Sequence, residues 1–241
     1  MSKLAIIPAR GGSKRIPRKN IKLFLGKPII SYSIEAAIAS GLFDEVMVST
    51  DDEEIAEIAR SHGAKVPFMR SNKNADDFAT TSDVIHEVLQ HYKIIGNSFE
   101  FVCCIYPTAP LISTANLKKA FNILEAKGYM SVFPAINFSY PIWRSLKMEP
   151  DGRVLMNWPE YEKTRSQDLP TAYHDAGQFY WLCVDNFMKE QKLFGANSGV
   201  LLLSEIEVQD IDNIEDWILA ELKMQIRNKG DVSDLEISNK Q

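Results

Sequence analysis

The chain has 241 residues, of which 45% are hydrophobic and 24% are charged, and its formal net charge is −5. A chain of this length and composition buries a substantial core, so a wholly disordered protein is excluded. The acidic balance argues against a protein that binds nucleic acid, because phosphate contacts usually require a basic surface.

The predicted elements alternate along most of the chain. Apolar runs bounded by turn signals alternate with stretches of helical period, which is typical of a mostly parallel sheet with helices on both faces. Strands are predicted at 4–8, 45–49, 65–69, 99–106, 130–134, 178–184, 200–203 and 207–211. Helices are predicted at 29–40, between 53 and 63, from 82 onward, through 117–124, near 186–191 and at 214–227.

The alternation stops between residues 135 and 176, a segment with four prolines and two tryptophans but no sustained helical period. Long segments of this kind usually have a function. We therefore expect a core formed by 1–134 and 177–227, a projecting insertion at 135–176, and a loose polar tail at 228–241.

The first apolar run, residues 4–7, is too short for a signal peptide or a membrane span, so we expect a cytoplasmic protein that does not associate with membranes. The adjacent Cys103 and Cys104 lie in a predicted buried strand, and together with Cys183 they lack the spacing of a zinc site. We expect reduced core thiols.

The loop after the first strand carries most of the functional signal, because ligands of open α/β sheets bind beyond the carboxyl ends of the strands. Within 9–20 the paired Gly11 and Gly12 let backbone amides approach an anion closely. The loop also contains five cations, which are Arg10, Lys14, Arg15, Arg18 and Lys19. This pattern predicts a polyphosphate ligand, with a solvated basic loop as the alternative.

The loop matches neither G-x-x-x-x-G-K-[ST] nor G-x-G-x-x-G. A P-loop NTPase and a Rossmann dehydrogenase are therefore disfavoured.

Asp210 and Asp212 flank Ile211 at the end of a predicted strand, where a spacing of two places both carboxylates on one side of the chain. Hard carboxylate oxygens suit Mg²⁺ bound to phosphate. The alternative is that they cap the helix that starts near residue 214. For Asp51 and Asp52 we favour helix capping.

The string IPARGGSKRIPRKN at 7–20 resembles the signature of the CMP-sialic acid synthetase family of nucleotidyltransferases. Further matching segments follow in the same order at 48–51, 70, 79–82, 107–110, 165–170 and 210–212. The resemblance implies a three-layer α/β/α nucleotide-diphospho-sugar transferase fold, Rossmann-like, with a mostly parallel mixed sheet. It also implies a homodimer in which the insertion 135–176 serves dimerisation and sugar binding.

The same resemblance implies that CMP is transferred from CTP to the anomeric hydroxyl of a nine-carbon acidic sugar, with Mg²⁺ and release of pyrophosphate. Arg10 and Lys14 would bind the triphosphate and Asp210 and Asp212 the metal, and these four would be catalytic. The other residues of the implied nucleotide site are Ala9, Gly11, Gly12, Ser13, Lys19, Asn20, Arg70, Ala79 and Thr81.

The implied sugar site consists of Tyr106, Arg165, Gln167, His174, Phe179, Tyr180 and Phe194. Tyr106, His174 and Ala176 replace the glutamine, arginine and asparagine of the sialic acid pattern, and the segments 138–143 and 173–181 resemble the pseudaminic acid cytidylyltransferase branch. Aromatic surface favours acetamido methyls and a deoxy carbon over a polyhydroxylated tail. Arg165 would anchor the sugar carboxylate in its own or the partner's site.

Several alternatives stay open at this point. Phe179 and Tyr180 could instead belong to a hydrophobic core strand, and Arg70 could be a surface arginine. The substrate could be N-acetylneuraminic or legionaminic acid, or the chain could be a CMP-Kdo synthetase. A nucleotide-binding protein without turnover is the alternative from another functional class.

Overall fold

The computed structural model describes residues 1–228, so the predicted tail lies outside the described residues except for Asn228. The strands in this part of the chain are β1 (Lys3–Pro8), β2 (Leu23–Phe24), β3 (Lys27–Pro28), β4 (Glu45–Ser49), β5 (Phe101–Ile105), β6 (Ser131–Asn137), β7 (Leu146–Met148), β8 (Val154–Met156), β9 (Tyr173–Asp175), β10 (Phe179–Cys183) and β11 (Ser198–Leu202). The α-helices are α1 (Ile29–Ser40), α2 (Glu53–Ser61), α3 (Thr81–Ile94), α4 (Thr114–Lys127), α5 (Val184–Glu190) and α6 (Ile214–Asn228).

Seven strands form the main sheet, in the order β11–β6–β10–β5–β1–β4, with β9 paired to β6. The pairs β1–β4, β1–β5 and β6–β11 are parallel. β10 runs antiparallel to both of its neighbours, and β9 runs antiparallel to β6. The prediction of a mostly parallel mixed sheet is confirmed.

Alternate residues of β1 enter two different cores. Ala5 and Ile7 pack in one cluster with residues of α1, α2 and α4. Leu4 and Ile6 pack on the other face with residues of α3 and α5. Because successive side chains of a strand point to opposite faces, helices cover both sides of the sheet, and the predicted three-layer α/β/α fold is confirmed.

A third cluster attaches α6 to the basic loop. Ile16 and Phe24, which lie in and just after this loop, are buried with Trp217 of α6. The rings of Phe24 and Trp217 meet edge to face at 5.5 Å. The short β2–β3 hairpin closes the loop. The loop is thus held at both its middle and its end by packed apolar side chains.

Two predicted strands are wrong. Segment 65–69 makes only an isolated bridge between Lys65 and Met47, because Pro67 lacks an amide hydrogen for the ladder. Segment 207–211 begins with the last residue of a 3₁₀ turn, Glu205–Glu207. There the side chains of Ser204 and Glu207 form a capping box, which holds Glu207 in a turn instead of a strand.

Strand β6 extends beyond its predicted end at residue 134. β6 continues to Asn137 because β9 pairs with its last residues. Between these strands lie the β7–β8 hairpin and the indole of Trp143, which packs against Trp158 at 5.4 Å and donates from Nε1 to the carbonyl of Pro170 at 2.7 Å. The hairpin carries Leu146, Met148, Val154 and Leu155, all more than half exposed.

Within residues 1–228, no helix combines the length and the apolar character needed to cross a membrane.

Candidate functional site

A cavity of about 580 Å³ opens beyond the carboxyl ends of β1 and β5. The basic loop, the polar segment before α3 and the segment before α6 surround it. The predicted site residues that line it are Arg10, Ser13, Lys14, Lys19, Asn20, Arg70, Ala79, Thr81, Tyr106, Asp210 and Asp212. The nucleotide candidates outside the lining are Ala9, Gly11 and Gly12, and the sugar candidates outside it are Arg165, Gln167, His174, Phe179, Tyr180 and Phe194.

Arg10 and Lys14 both contact an acidic residue that sequence reasoning missed. Nη1 of Arg10 donates to the backbone carbonyl of Asp76 at 2.9 Å and to Oδ1 of Asp77 at 3.0 Å. Nζ of Lys14 pairs with Oδ2 of Asp77. The hydrogen bond from Lys14 and the charges of both cations lower the pKa of Asp77. No local pattern could have revealed this contact, because Asp77 lies in a polar loop 67 residues from Arg10.

Asn20 and Gly11 shape the loop. The Asn20 side chain is buried and donates from Nδ2 to the carbonyl of Arg10 at 2.9 Å. The amide of Gly11 donates to Oδ1 of Asp51 at 3.1 Å. A Cβ added to Gly11 would lie 2.6 Å from Oδ2 of Asp52, whereas one on Gly12 would meet no atom within 4 Å. Gly11 therefore permits a close approach to Asp51 and Asp52.

Ala9 is fully buried, and its amide donates to the carbonyl of Ser49 at 2.9 Å. It therefore supports the wall of the cavity from behind, through the backbone.

Arg18 links the same loop to α2. Its backbone has the left-handed φ of 54°, and its guanidinium pairs with Asp52 and Glu54. Oδ1 of Asp52 also accepts from the amide of Ile55 at 3.1 Å, which makes Asp52 the N-cap of α2. The predicted capping role is thus confirmed for Asp52, whereas the Asp51 side chain accepts from the Gly11 amide.

Arg70 is buried, so the alternative of a surface arginine is wrong. Nε donates to Oγ of Ser49 at 3.0 Å, and Nη2 donates to the Ser49 carbonyl. Burial lowers the pKa of Arg70. Elsewhere in the cavity lining, Oγ1 of Thr81 and the hydroxyl of Tyr106 lie 3.4 Å apart.

Asp210 and Asp212 line the cavity next to two cations of the basic loop. Nη2 of Arg15 lies 2.7 Å from Oδ1 of Asp212. Nζ of Lys19 donates to the carbonyl of Ile211 at 2.6 Å and lies 4.0 Å from Asp212. Burial lowers the pKa of Lys19. Burial, and then the charge of Asp212, raises the pKa of Asp210.

These two aspartates do not cap α6. Oδ1 of Asn213 accepts from the amides of Glu215 and Asp216, and Oδ2 of Asp216 accepts from the amides of Asp212 and Asn213. The carboxylates of Asp210 and Asp212 therefore accept none of these four amide hydrogen bonds.

The donor set suits a hard divalent cation, because two neighbouring carboxylates supply anionic oxygens. Among residues 1–228 no group of three or more His, Cys, Asp or Glu side chains is placed to hold a metal ion. A cation held here would depend on ligand phosphates to complete its coordination.

The sugar candidates fall into separate regions of the structure. Phe179 is fully buried in the core with Trp181. For Phe179 the alternative of a hydrophobic core strand is therefore confirmed. Tyr180 is buried on the other face, where its ring lies 5.4 Å from that of Tyr106 and its hydroxyl donates to Oδ2 of Asp175. Tyr180 thus stands directly behind the cavity wall.

The remaining sugar candidates are exposed. Phe194 packs on Phe133 at 5.1 Å, and the ring of His174 packs on Phe138 at 4.7 Å. Nε of Arg165 donates to Oδ2 of Asp168 at 2.7 Å, with Gln167 exposed beside them in the insertion. The structure does not bring Arg165 or Gln167 into the lining of the cavity.

Comparison with known proteins yields consistent matches. Residues 4–195 match the profile of the cytidylyltransferase family. A pseudaminic acid cytidylyltransferase of Campylobacter jejuni is 44% identical over 95% of this chain and 99% of its own length. A CMP-N,N'-diacetyllegionaminic acid synthase of Legionella pneumophila is 34% identical over 94% of this chain and 97% of its own.

A solved CMP:2-keto-3-deoxy-manno-octonic acid synthetase, complexed with CTP, superposes with a TM-score of 0.69. It covers 95% of this chain and 100% of its own, at 16% identity. This likeness establishes the fold.

Proposed function

The chain belongs to the cytidylyltransferase family, and on that premise we propose that it transfers CMP from CTP to a nine-carbon acidic sugar, pseudaminic acid, with release of pyrophosphate. One observation carries the proposal. A single cavity joins Arg10 and Lys14 of the basic loop to Asp210 and Asp212. Phosphate-binding cations and potential metal ligands thereby face the same space, as nucleotidyl transfer requires.

Mg²⁺ is the proposed cofactor, bound by Asp210 and Asp212. Burial, and then the charge of Asp212, raises the pKa of Asp210, and a divalent cation would stabilise both carboxylates in their charged form. Mg²⁺ commonly binds through one or two carboxylates and substrate phosphates. When bound, it would neutralise phosphate charge and lower the pKa of the attacking hydroxyl.

The reaction is an in-line attack of the anomeric hydroxyl on the α-phosphorus of CTP. Arg10 and Lys14 stabilise negative charge on the departing pyrophosphate. Asn20 holds the backbone of Arg10 through its carbonyl. Lys19 ties the aspartate segment to the basic loop through the Ile211 carbonyl. These two contacts hold the phosphate-binding loop and the aspartate segment in place before substrate binds.

The cytosine lies, in this proposal, against Arg70, Ala79 and Thr81. Ser49 holds the guanidinium of Arg70 in position through its side chain and its carbonyl. A small pocket with one oriented arginine suits a pyrimidine and excludes a purine by size.

Pseudaminic acid is the proposed sugar because an aromatic side chain, Tyr106, lines the cavity and further rings pack behind it. Tyr106 lines the cavity, and Tyr180 and Phe133 pack in series behind it. Such a wall favours methyl and acetamido groups. The 44% identity to a pseudaminic acid cytidylyltransferase supports the same sugar.

The insertion is proposed to form a homodimer interface. Its hairpin exposes the apolar side chains of Leu146, Met148, Val154 and Leu155, and apolar surface of this kind often marks an interface. Arg165, on the same insertion, would then bind a sugar carboxylate in its own or the partner's site. Light scattering tests this proposal, and an active monomer at micromolar concentration would refute it.

A cytoplasmic location completes the proposal. The cysteines at 103, 104 and 183 are free thiols, which fits a reducing compartment.

The decisive experiment measures pyrophosphate release with CTP, Mg²⁺ and three sugars, namely pseudaminic, N,N'-diacetyllegionaminic and N-acetylneuraminic acid. We expect the highest kcat/KM with pseudaminic acid. With N-acetylneuraminic acid kcat/KM should be lower by a factor of about a hundred or more. Equal or better use of N-acetylneuraminic acid would refute the sugar assignment alone. Absence of turnover with every sugar would refute the transferase.

A further inference from the structure

The carboxylate of Asp77 forms ion pairs with Arg10 and Lys14, the two side chains that we propose bind the triphosphate. Its Oδ1 accepts from Nη1 of Arg10 at 3.0 Å, and its Oδ2 pairs with Nζ of Lys14. Asp77 itself lines the cavity, with 43% of its side chain exposed. An anion that binds both cations therefore competes with a carboxylate that already pairs with them.

The backbone around Asp77 is held by its neighbour. Oδ1 of Asp76 accepts from the amides of Phe78 and Ala79 at 2.9 and 2.8 Å. Within the same turn Phe78 is 90% exposed, whereas Asp77 lines the cavity. Thr80 follows as the N-cap of α3, so the turn is also anchored to a helix. The position of Asp77 over the cations is thus built into the local backbone.

We propose that Asp77 is an internal competitor of the phosphates, which weakens pyrophosphate binding at Arg10 and Lys14 and thereby favours its release. This inference rests on the proposed cytidylyltransferase function. Without Asp77 the two cations would keep their full attraction for a departing dianionic or trianionic product. With Asp77 present, the carboxylate returns to the cations as pyrophosphate leaves.

The contacts set the size of the effect. The side chains of Arg10 and Lys14 are 37% and 77% exposed, so both ion pairs are screened by solvent. Exposed pairs are individually weak. Their loss should therefore change pyrophosphate affinity by a factor of about three to ten, and no more.

The test is titration calorimetry of Asp77→Asn with pyrophosphate in metal-free buffer at low ionic strength. The matched control is Glu35→Gln, because Glu35 also bridges two basic side chains, Lys27 and His62, and lies outside the cavity. We expect the pyrophosphate Kd to fall about threefold to tenfold in Asp77→Asn and to stay unchanged in Glu35→Gln. Asp77→Ala should shift the Kd in the same direction.

Three outcomes would overturn the inference. An unchanged or raised Kd in both Asp77 variants would mean that Asp77 holds the cations in their binding positions. An equal fall of the Kd in Glu35→Gln would mean that the change in net charge alone explains the effect. No detectable binding in any variant would mean that these cations do not bind phosphates. The titration uses neither sugar nor turnover, so a failure of CMP transfer remains a separate result.

Discussion

Replacing Asp212 by asparagine tests whether this residue binds a metal ion or serves a structural role. In the structure Oδ1 of Asp212 lies 2.7 Å from Arg15, and the two side chains are 45% and 68% exposed. An exposed pair of this kind contributes about 0–1 kcal/mol to the free energy of unfolding. For a chain of this size the melting temperature should then fall by no more than about 4 °C.

The effect on activity should be far larger. An amide is a poor ligand for a hard cation, and losing one preorganised contact to the transition state costs about 3–4 kcal/mol. This corresponds to a fall of about 10²- to 10³-fold in kcat/KM. The assay is pyrophosphate release over a Mg²⁺ titration, with the melting temperature measured on the same preparation.

Asp216→Ala is the comparison variant. It removes the acceptor for two amides at the start of α6 and should cost about 1 kcal/mol of stability, with turnover kept in the folded fraction. If Asp212→Asn instead showed this second pattern, a metal-binding role for Asp212 would be refuted.

Two further predictions concern the basic loop. Arg10→Ala and Lys14→Ala should each lower kcat/KM by about two orders of magnitude or more with the fold intact, and near wild-type kinetics in both variants would contradict their proposed role. Gly11→Ala should destabilise the protein by about 1–3 kcal/mol in chemical denaturation, because the new Cβ would lie 2.6 Å from Oδ2 of Asp52. Gly12→Ala, which meets no atom within 4 Å, should change stability by less than about 1 kcal/mol, and equal losses in the two variants would disprove the steric argument.

The sequence predicted those features that depend on local patterns. Strand β1 and helix α1 appear where apolar periodicity and turn residues place them. The three-layer order follows from the alternation of strands and helices along most of the chain. The basic loop could be recognised because its cations and glycines are neighbours in the chain. The pair Asp210 and Asp212 could be recognised for the same reason.

Non-local contacts could not be predicted. Nothing in the apolar run 179–183 distinguishes a strand antiparallel to both neighbours from a parallel one. The return of β9 to β6, which lengthens β6 to Asn137, joins residues almost 40 positions apart. The Asp77 contact depends in the same way on two loops that meet only in the folded chain.

The predicted nucleotide residues and the predicted sugar residues lie in different parts of the chain, and this separation bears on how the protein could evolve. The residues proposed for CTP lie almost entirely within the first 81 positions. The sugar residues that the sequence predicted, apart from Tyr106, lie at 165–194, from the segment between β6 and β9 to the segment after α5. The two parts meet at the β5–β10 ladder, where the amide of Tyr106 donates to the carbonyl of Gln178 at 2.8 Å. If those residues select the sugar, substitutions beyond that ladder would alter the sugar that is accepted while the phosphate loop stays as it is, and one ancestral nucleotide site would serve enzymes for several acidic sugars.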